Sequence, residues 1–317
     1  MNEIQCLVLS SSMDYSTDLI CLELENRGVS YFRLNRDQFR SLGIALQIKG
    51  PELIIRNGST LLTFDNSLEN SIYFRAPTFS RTFNKTYQLE EQVYQSQWGA
   101  FIRNLIVFDN VRWMNNPVAT YRAENKILQL AEARQCHLNT PETIITNDSE
   151  FVPLKQDCVV KSIDTAIFSS SGQEMFAYTT TLSTSELRSE DLRLAPVCIQ
   201  ENLHDKIDIR TTFVDGSLFS FAILGDGKGI SDDWRKTSKE LLEYVPIHLP
   251  REIEQKLGQL MDRLNLRFGG IDLIQSNDQI YFVEVNPTGE WCWLQLNSDA
   301  PIAASIVDYL LASNNTK

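Results

Sequence analysis

Residues 267–293, RFGGIDLIQSNDQIYFVEVNPTGEWCW, constrain this chain more than any other stretch. Two apolar runs, 270–275 and 279–285, flank the polar turn Ser276-Asn277-Asp278, which is the pattern of a β-hairpin. Side chains alternate faces along an extended segment, so Asp272 on the first run and Glu284 and Asn286 at the end of the second converge on one side of a sheet. Taken singly, Asp272 reads as a turn cap and Glu284 as a solvated strand end. Together they are acids interrupting core strands, and a buried carboxylate needs a partner. Three hard oxygen donors in one place suit Mg²⁺, which takes one or two protein carboxylates and fills its shell with water and phosphate oxygens.

Size and charge narrow the rest. A chain of 317 residues can bury a sizeable core in two or three lobes, and 43% hydrophobic with 22% charged residues predicts order everywhere except the tail 314–317. A net charge of −12 with no run of Lys or Arg argues against nucleic acid or an anionic membrane as main partner. The cysteines Cys6, Cys21, Cys136, Cys158, Cys198 and Cys292 form no Cys-x-x-Cys pair, so free thiols in a reducing cytoplasm are expected and a zinc site is not. No basic and apolar leader and no 18-residue apolar span is present, which fits the same cytoplasmic expectation.

Along the chain, a strand at 5–10, a helix at 17–26 and a strand at 29–34 form a βαβ unit. Apolar runs around Asn57-Gly58 predict a hairpin, 71–75 a strand, and 87–107 a helix burying Tyr87, Val93, Trp98, Phe101, Ile102 and Leu105. Asn115-Asn116-Pro117 reads as a boundary. A helix at 121–133 follows, then strands at 144–146, 158–162 and near 175–179. Strands at 197–200, 207–214 and 218–224 come next, with a turn at Asp215-Gly216. A helix at 251–264 delivers the hairpin, and a helix at 301–312 closes the chain with Asp299 as its N-cap. The expected fold is α/β (α+β), in three units: 1–114, 115–196 and 197–317.

Several residues outside the hairpin carry possible chemistry. Lys161 ends an apolar strand, where it is well placed to hold a phosphate, whereas Lys126 by itself reads as a surface lysine. The Ser169-Ser170-Ser171-Gly172 loop could fold over phosphates or be a plain turn. Residues 197–203 run from an apolar strand into Gln200-Glu201, the layout of a hinge that hydrogen-bonds an adenine edge while Leu203 packs on its face. Asp208 and Arg210 share a strand face, and a simple salt bridge is their local reading. For Arg235, beside Trp234, the local reading is packing. His137, His204 and His248 have no metal-ligand spacing, no Gly-x-Ser-x-Gly elbow is present, and both Gly-rich nucleotide motifs are missing.

Over residues 115–312 the order Lys126, Lys161, Gln200-Glu201, Asp208-x-Arg210, Arg235, Asp272, Glu284-x-Asn286 resembles the ATP-grasp ligases. Phe-Gly-Gly-Ile-Asp-Leu followed by Val-Glu-Val-Asn-Pro-Thr-Gly-Glu-Trp is similar to the subgroup of microviridin-type, or graspetide, macrocyclases. Tyr73-Phe74-Arg75-Ala76-Pro77 resembles an aromatic-Arg-x-Pro element of that subgroup's first domain.

The resemblance implies ATP and Mg²⁺ between the last two domains. Lys126 and Lys161 would contact the phosphates, Gln200, Glu201 and Leu203 the adenine, and Asp208 the ribose. Asp272, Glu284 and Asn286 would hold the metal, while Arg210 and Arg235 would face the phosphoryl group and the substrate carboxylate. It also implies a ribosomally made precursor peptide, leader plus core, as substrate, crosslinked through its Asp or Glu side chains, and a homodimer. The rivals are a RimK-like ligase that adds an amino acid, and a nucleotide- or peptide-binding module without turnover.

Overall fold

The fold is that of a computed structural model, which describes residues 2–77, 88–152, 157–164, 167–170, 173–176 and 179–312. Tyr87, Ser171, Gly172 and the tail 314–317 lie outside the described residues.

The amino-terminal part has a parallel sheet in the order Tyr31–Asn35, Cys6–Ser10, Ser71–Phe74, Arg112–Met114. Helix Tyr15–Asn26 starts where the Asp14 side chain accepts from Thr17 N, and the chain turns away at Gly28 with φ +68°. The expected hairpin around Asn57-Gly58 joins Glu52–Asn57 to Thr60–Asp65 in a second sheet. Helix Leu89–Asn104 buries Ile102 and hands on to buried Leu105, but Val93 is 52% exposed rather than buried. Nine residues at about 100° each put Val93 on the far side of the helix from Ile102.

The single helix expected over 121–133 is two helices, Pro117–Ala123 and Lys126–Gln135. The Asn125 side chain donates to the carbonyls of Tyr121 and Arg122 and so ends the first of them. The last helix, Ile302–Leu311, is not capped by Asp299: Ala303 N donates to Gln295 Oε1 at 2.8 Å instead. No described helix is long and apolar enough to cross a membrane.

Two further sheets frame the site. A small antiparallel sheet runs Thr180–Leu182, Cys158–Lys161, Val197–Glu201, Thr143–Thr146. A larger antiparallel sheet runs Leu242–Ile247, Ser217–Gly225, Ile207–Val214, Phe268–Ser276, Gln279–Asn286, so the hairpin read from the sequence is present with its turn at Asn277-Asp278. One face of this sheet packs on Leu257, Leu260 and Met261 of helix Arg251–Arg263 and on Ala119, Ala123 and Ala133 of the paired helices. Around Phe221, Phe268 and Trp291 it shares a core with Val8, Ile20 and Leu24 of the amino-terminal part and Ile306 of the last helix. The small sheet has its own core of Val152, Cys158, Leu187 and Ile199.

Candidate active site

Strand register builds the site. Arg210 stands opposite Asp272, and Asp272 opposite Glu284, so a cation and two carboxylates form one row across three strands; Gly270 faces Asn286 in the next row. A register shift makes Leu273 pair with Phe282, leaving Val283 as an extra residue. This bulge lets Phe282 meet Leu273 in the core while Glu284 meets Asp272 on the cleft face.

Asp272 is doubly held. Its Oδ1 accepts from Arg210 Nη1 at 2.7 Å and its Oδ2 from Arg235 Nη2 at 3.2 Å. Burial alone would raise the Asp272 carboxyl, but the two guanidinium groups outweigh it and keep the carboxyl below the usual range. Arg210 is almost covered, with 8% of its side chain exposed. Glycines make room for it: a Cβ on Gly270 would stand 2.6 Å from Arg210 Cζ, and one on Gly289 2.5 Å from its Nη2. Gly270, the second Gly of the hairpin's Gly-Gly, and the Gly after Pro-Thr are therefore spacers around a buried arginine, while Gly269 makes room for Val285 and Met261.

Above this row lies a cleft of about 320 Å³ between the two sheets. Its roof is the small-sheet face that carries Val159, Lys161, Thr181 and Gln200. Its floor includes Asp208, Ile223, Asp272, Ile274, Glu284 and Asn286, with Glu201 and Leu203 at the crossing between sheets and Lys126 and Arg235 at the sides. Every site residue expected from the sequence except Arg210 lines this one cleft, and Arg210 sits behind Asp272.

Local readings made residue by residue fare differently. Lys126 is not a free surface lysine: its Nζ is 3.3 Å from Glu284 Oε2. Asp208 and Arg210 do not pair with each other, because each has a better-placed partner, Lys206 Nζ at 2.6 Å and Asp272 at 2.7 Å. Arg235 does pack, with its guanidinium 4.9 Å from the Trp234 ring centroid, but it also reaches Asp272. The Gln200 amide is turned to Thr143 Oγ1 at 3.0 Å, and the Glu201 carboxylate accepts from Glu142 N at 3.3 Å. Burial lowers the Lys161 ammonium, with Glu284 pulling the other way, and burial raises the Asp208 carboxyl against the pull of Lys206.

Lys206 and Asp233 were missed. Lys206 alternates with Asp208 and Arg210, so its shared face was readable. Asp233, 5% exposed at its side chain, accepts from Arg235 N at 3.1 Å and Nη1 at 3.4 Å and so braces that arginine. Among the described residues no three His, Cys, Asp or Glu side chains gather as a metal site. The donor set is instead two carboxylates and the Asn286 amide, all offering hard oxygens, which fits Mg²⁺ sharing its shell with phosphate and water.

No protein-family profile matches the chain. It is 23% identical over 229 residues to the tetrahydromethanopterin:alpha-L-glutamate ligase of Methanocaldococcus jannaschii, covering 68% of this chain and 76% of that one. The macrocyclase MdnC of Microcystis aeruginosa, solved with the precursor peptide MdnA, superposes with a TM-score of 0.81 at 25% identity, over 97% of this chain and 99% of that one. A RiPP-associated ATP-grasp ligase of Chryseobacterium gregarium, solved with ADP and a leader and core peptide, gives 0.81 at 24% identity, over 100% and 98%. The likeness extends over nearly the whole chain, and so over both sheets that enclose the cleft. The chain has the fold of the ATP-grasp ligases and is similar to their microviridin-type macrocyclase subgroup.

Proposed function

We propose that this protein is an ATP-dependent ligase that activates Asp or Glu side chains of a ribosomally made precursor peptide and joins them to Ser, Thr or Lys side chains of the same peptide. The observation that carries the reading is that Asp272 and Glu284, backed by Arg210, share one cleft with Lys126 and Lys161. In this reading Lys126 and Lys161 bind the ATP phosphates, Gln200, Glu201 and Leu203 line the adenine, and Asp208, held by Lys206, takes the ribose. Asp272, Glu284 and Asn286 hold Mg²⁺, which supplies charge neutralisation on the phosphates when bound.

The chemistry asks mainly for positioning and countercharge. A peptide carboxylate oriented by Arg235 attacks the γ-phosphoryl group, ADP leaves, and an acyl phosphate forms. Arg210 and Arg235 balance the charge that develops there. A hydroxyl or amine of the peptide then displaces phosphate, giving an ester or an amide and releasing its proton. Water has to be excluded, which is the part given to the small sheet roofing the cleft. The units 1–114, 115–196 and 197–317 keep their assigned parts here, with the two helices at the start of the second seated on the sheet of the third. The reading also includes a cytoplasmic, homodimeric protein, supported for the compartment by six free cysteines, five of them buried.

The test is intact mass spectrometry of a precursor peptide incubated with the protein, ATP and Mg²⁺. Losses in steps of about 18 Da, one water per bond formed by this ligase chemistry, support crosslinking. The similarity to a glutamate ligase favours one rival, and a gain matching an added amino acid would establish it. In the same assay Asp272→Asn and Glu284→Gln should abolish turnover, by about a thousandfold or more, with melting temperatures close to the parent's. Near-normal activity in either variant would sink the metal assignment.

A further inference from the structure

The amino-terminal part reaches the loop beside the chemistry through a buried arginine, Arg75. Arg75 follows strand Ser71–Phe74, and only 4% of its side chain is exposed. Its Nε donates to Asp14 Oδ2 at 2.8 Å. Its other nitrogens cross to the loop after the metal-side strand: Nη1 donates to Thr288 O at 2.8 Å and Gly289 O at 3.3 Å, and Nη2 to Glu290 Oε1 at 2.6 Å. Ser16 Oγ donates to the other Glu290 oxygen at 2.6 Å and receives Cys292 N at 3.3 Å, so the loop is gripped from two places.

That loop is the cover of Arg210. Arg210 Nη2 donates to Glu290 O at 3.3 Å, and Gly289 lies so close that a Cβ there would stand 2.5 Å from the same nitrogen. The contacts form an unbroken series: Arg75, the carbonyls of 288–289 and the Glu290 side chain, the Glu290 carbonyl, Arg210, Asp272. An ion pair that merely joined two domains would need only carboxylates. Arg75 instead spends one nitrogen on bare carbonyls of the two residues that precede Glu290 on Arg210's lid, which fixes the loop's path as well as its place.

We infer that Arg75 is a positioning residue for the reaction, setting the guanidinium of Arg210 through residues 288–290. The inference rests on the proposed role of Arg210 in the ligase reaction. A lysine at 75 would keep the charge but lose the planar fork that reaches Asp14, two carbonyls and Glu290 together.

The test is a double-mutant cycle on the full chain with ATP, Mg²⁺ and a crosslinkable peptide. Arg75→Lys should lower kcat about tenfold or more while KM for ATP stays within about twofold, the pattern of a lost transition-state contact. Combined with Arg210→Ala it should add nothing further, since both act through one group. Losses that simply multiply would overturn the inference. If Arg75→Lys does not fold, Glu290→Gln removes the charge on the grip and should show the same non-additivity. A crystal structure of either variant reads the point without turnover. Loss of the Arg210–Asp272 contact supports the inference, and an undisturbed 2.7 Å contact overturns it. A wild-type protein that forms no crosslink would count against the ligase reading alone.

Discussion

Lys161 carries a charge that folding disfavours. Its ammonium ends strand Cys158–Lys161 on the roof of the cleft, and burial lowers its pKa from the ordinary lysine value. Between that lowered value and about 10.4 the unfolded chain holds the proton more tightly, so stability rises with pH across this window. At neutral pH, below it, the half-buried charge is a burden that a bound phosphate would relieve in the role proposed for Lys161. Lys161→Met should therefore raise the melting temperature of the nucleotide-free protein by about 2 to 4 °C, the response to roughly 1 kcal/mol. It should also weaken ATP about tenfold or more, because a charge-assisted hydrogen bond is lost. Calorimetry of the free protein and titration with ATP check both, and a lower melting point with unchanged affinity would contradict the assignment. A lysine at the end of an apolar strand was visible in the letters. The purpose of Gly270 and Gly289 was not, because it lies in how closely Arg210 approaches them, and neither is among the positive-φ glycines.

At the scale of elements, local pattern was enough for the hairpin and insufficient for what docks against it. Strand Gln279–Asn286 is the sheet's edge, so among the described residues Val285 has no further strand to pair with. Gln129, on helix Lys126–Gln135 and 2% exposed, takes that place: its Nε2 donates to Val285 O at 2.8 Å and its Oε1 accepts from Val285 N at 2.9 Å. The same amide donates to Ala123 O at 2.6 Å, tying the two short helices together. Three residues earlier on the same helix, Lys126 thereby meets Glu284. A glutamine in an amphipathic helix reads as its solvent face, and only the partner strand reveals a buried amide that imitates a strand. The bulge at Val283 was hidden for a similar reason, since alternation alone puts Phe282 beside Glu284. Gln129→Leu should leave both Val285 groups unpaired and destabilise the protein by about 2 to 6 kcal/mol, at about 1 to 3 for each buried orphan. Urea unfolding measures this, and a loss below about 0.5 kcal/mol would show that the amide is dispensable, since surface substitutions fall in that range. Nucleotide affinity should fall with it, as Lys126 loses its anchor.

For the molecule as a whole, the sequence reads as three units, and it gives no sign of the cores that distant parts of the chain share. The amino-terminal sheet and the carboxy-terminal sheet join around Val8, Ile20, Phe268, Trp291 and Ile306, pairs so distant in sequence that no local pattern encodes them. The Arg75–Asp14 pair lies at this junction, with 4% and 11% of the two side chains exposed. Burial alone would raise the Asp14 carboxyl, but Arg75, helped by Thr17 N and Ser10 Oγ, holds it below the usual range. A carboxyl with a folded pKa below its unfolded value, about 3.9, contributes stability that is complete above that value. The contribution fades as pH drops through the folded pKa, because the folded state must then take up a proton it resists. Asp14→Asn removes this behaviour and leaves Arg75 one carboxylate short. At pH 7 the variant should be less stable by about 3 kcal/mol, the usual effect of breaking a buried pair from one side. Below pH 4 the gap between parent and variant should close, since the parent is losing what the variant never had. Urea unfolding at pH 7, 5, 4 and 3 follows the gap directly. A gap that persists undiminished to pH 3 would mean that Asp14 acts by shape and hydrogen bonding alone, and the junction would then owe nothing to its charge.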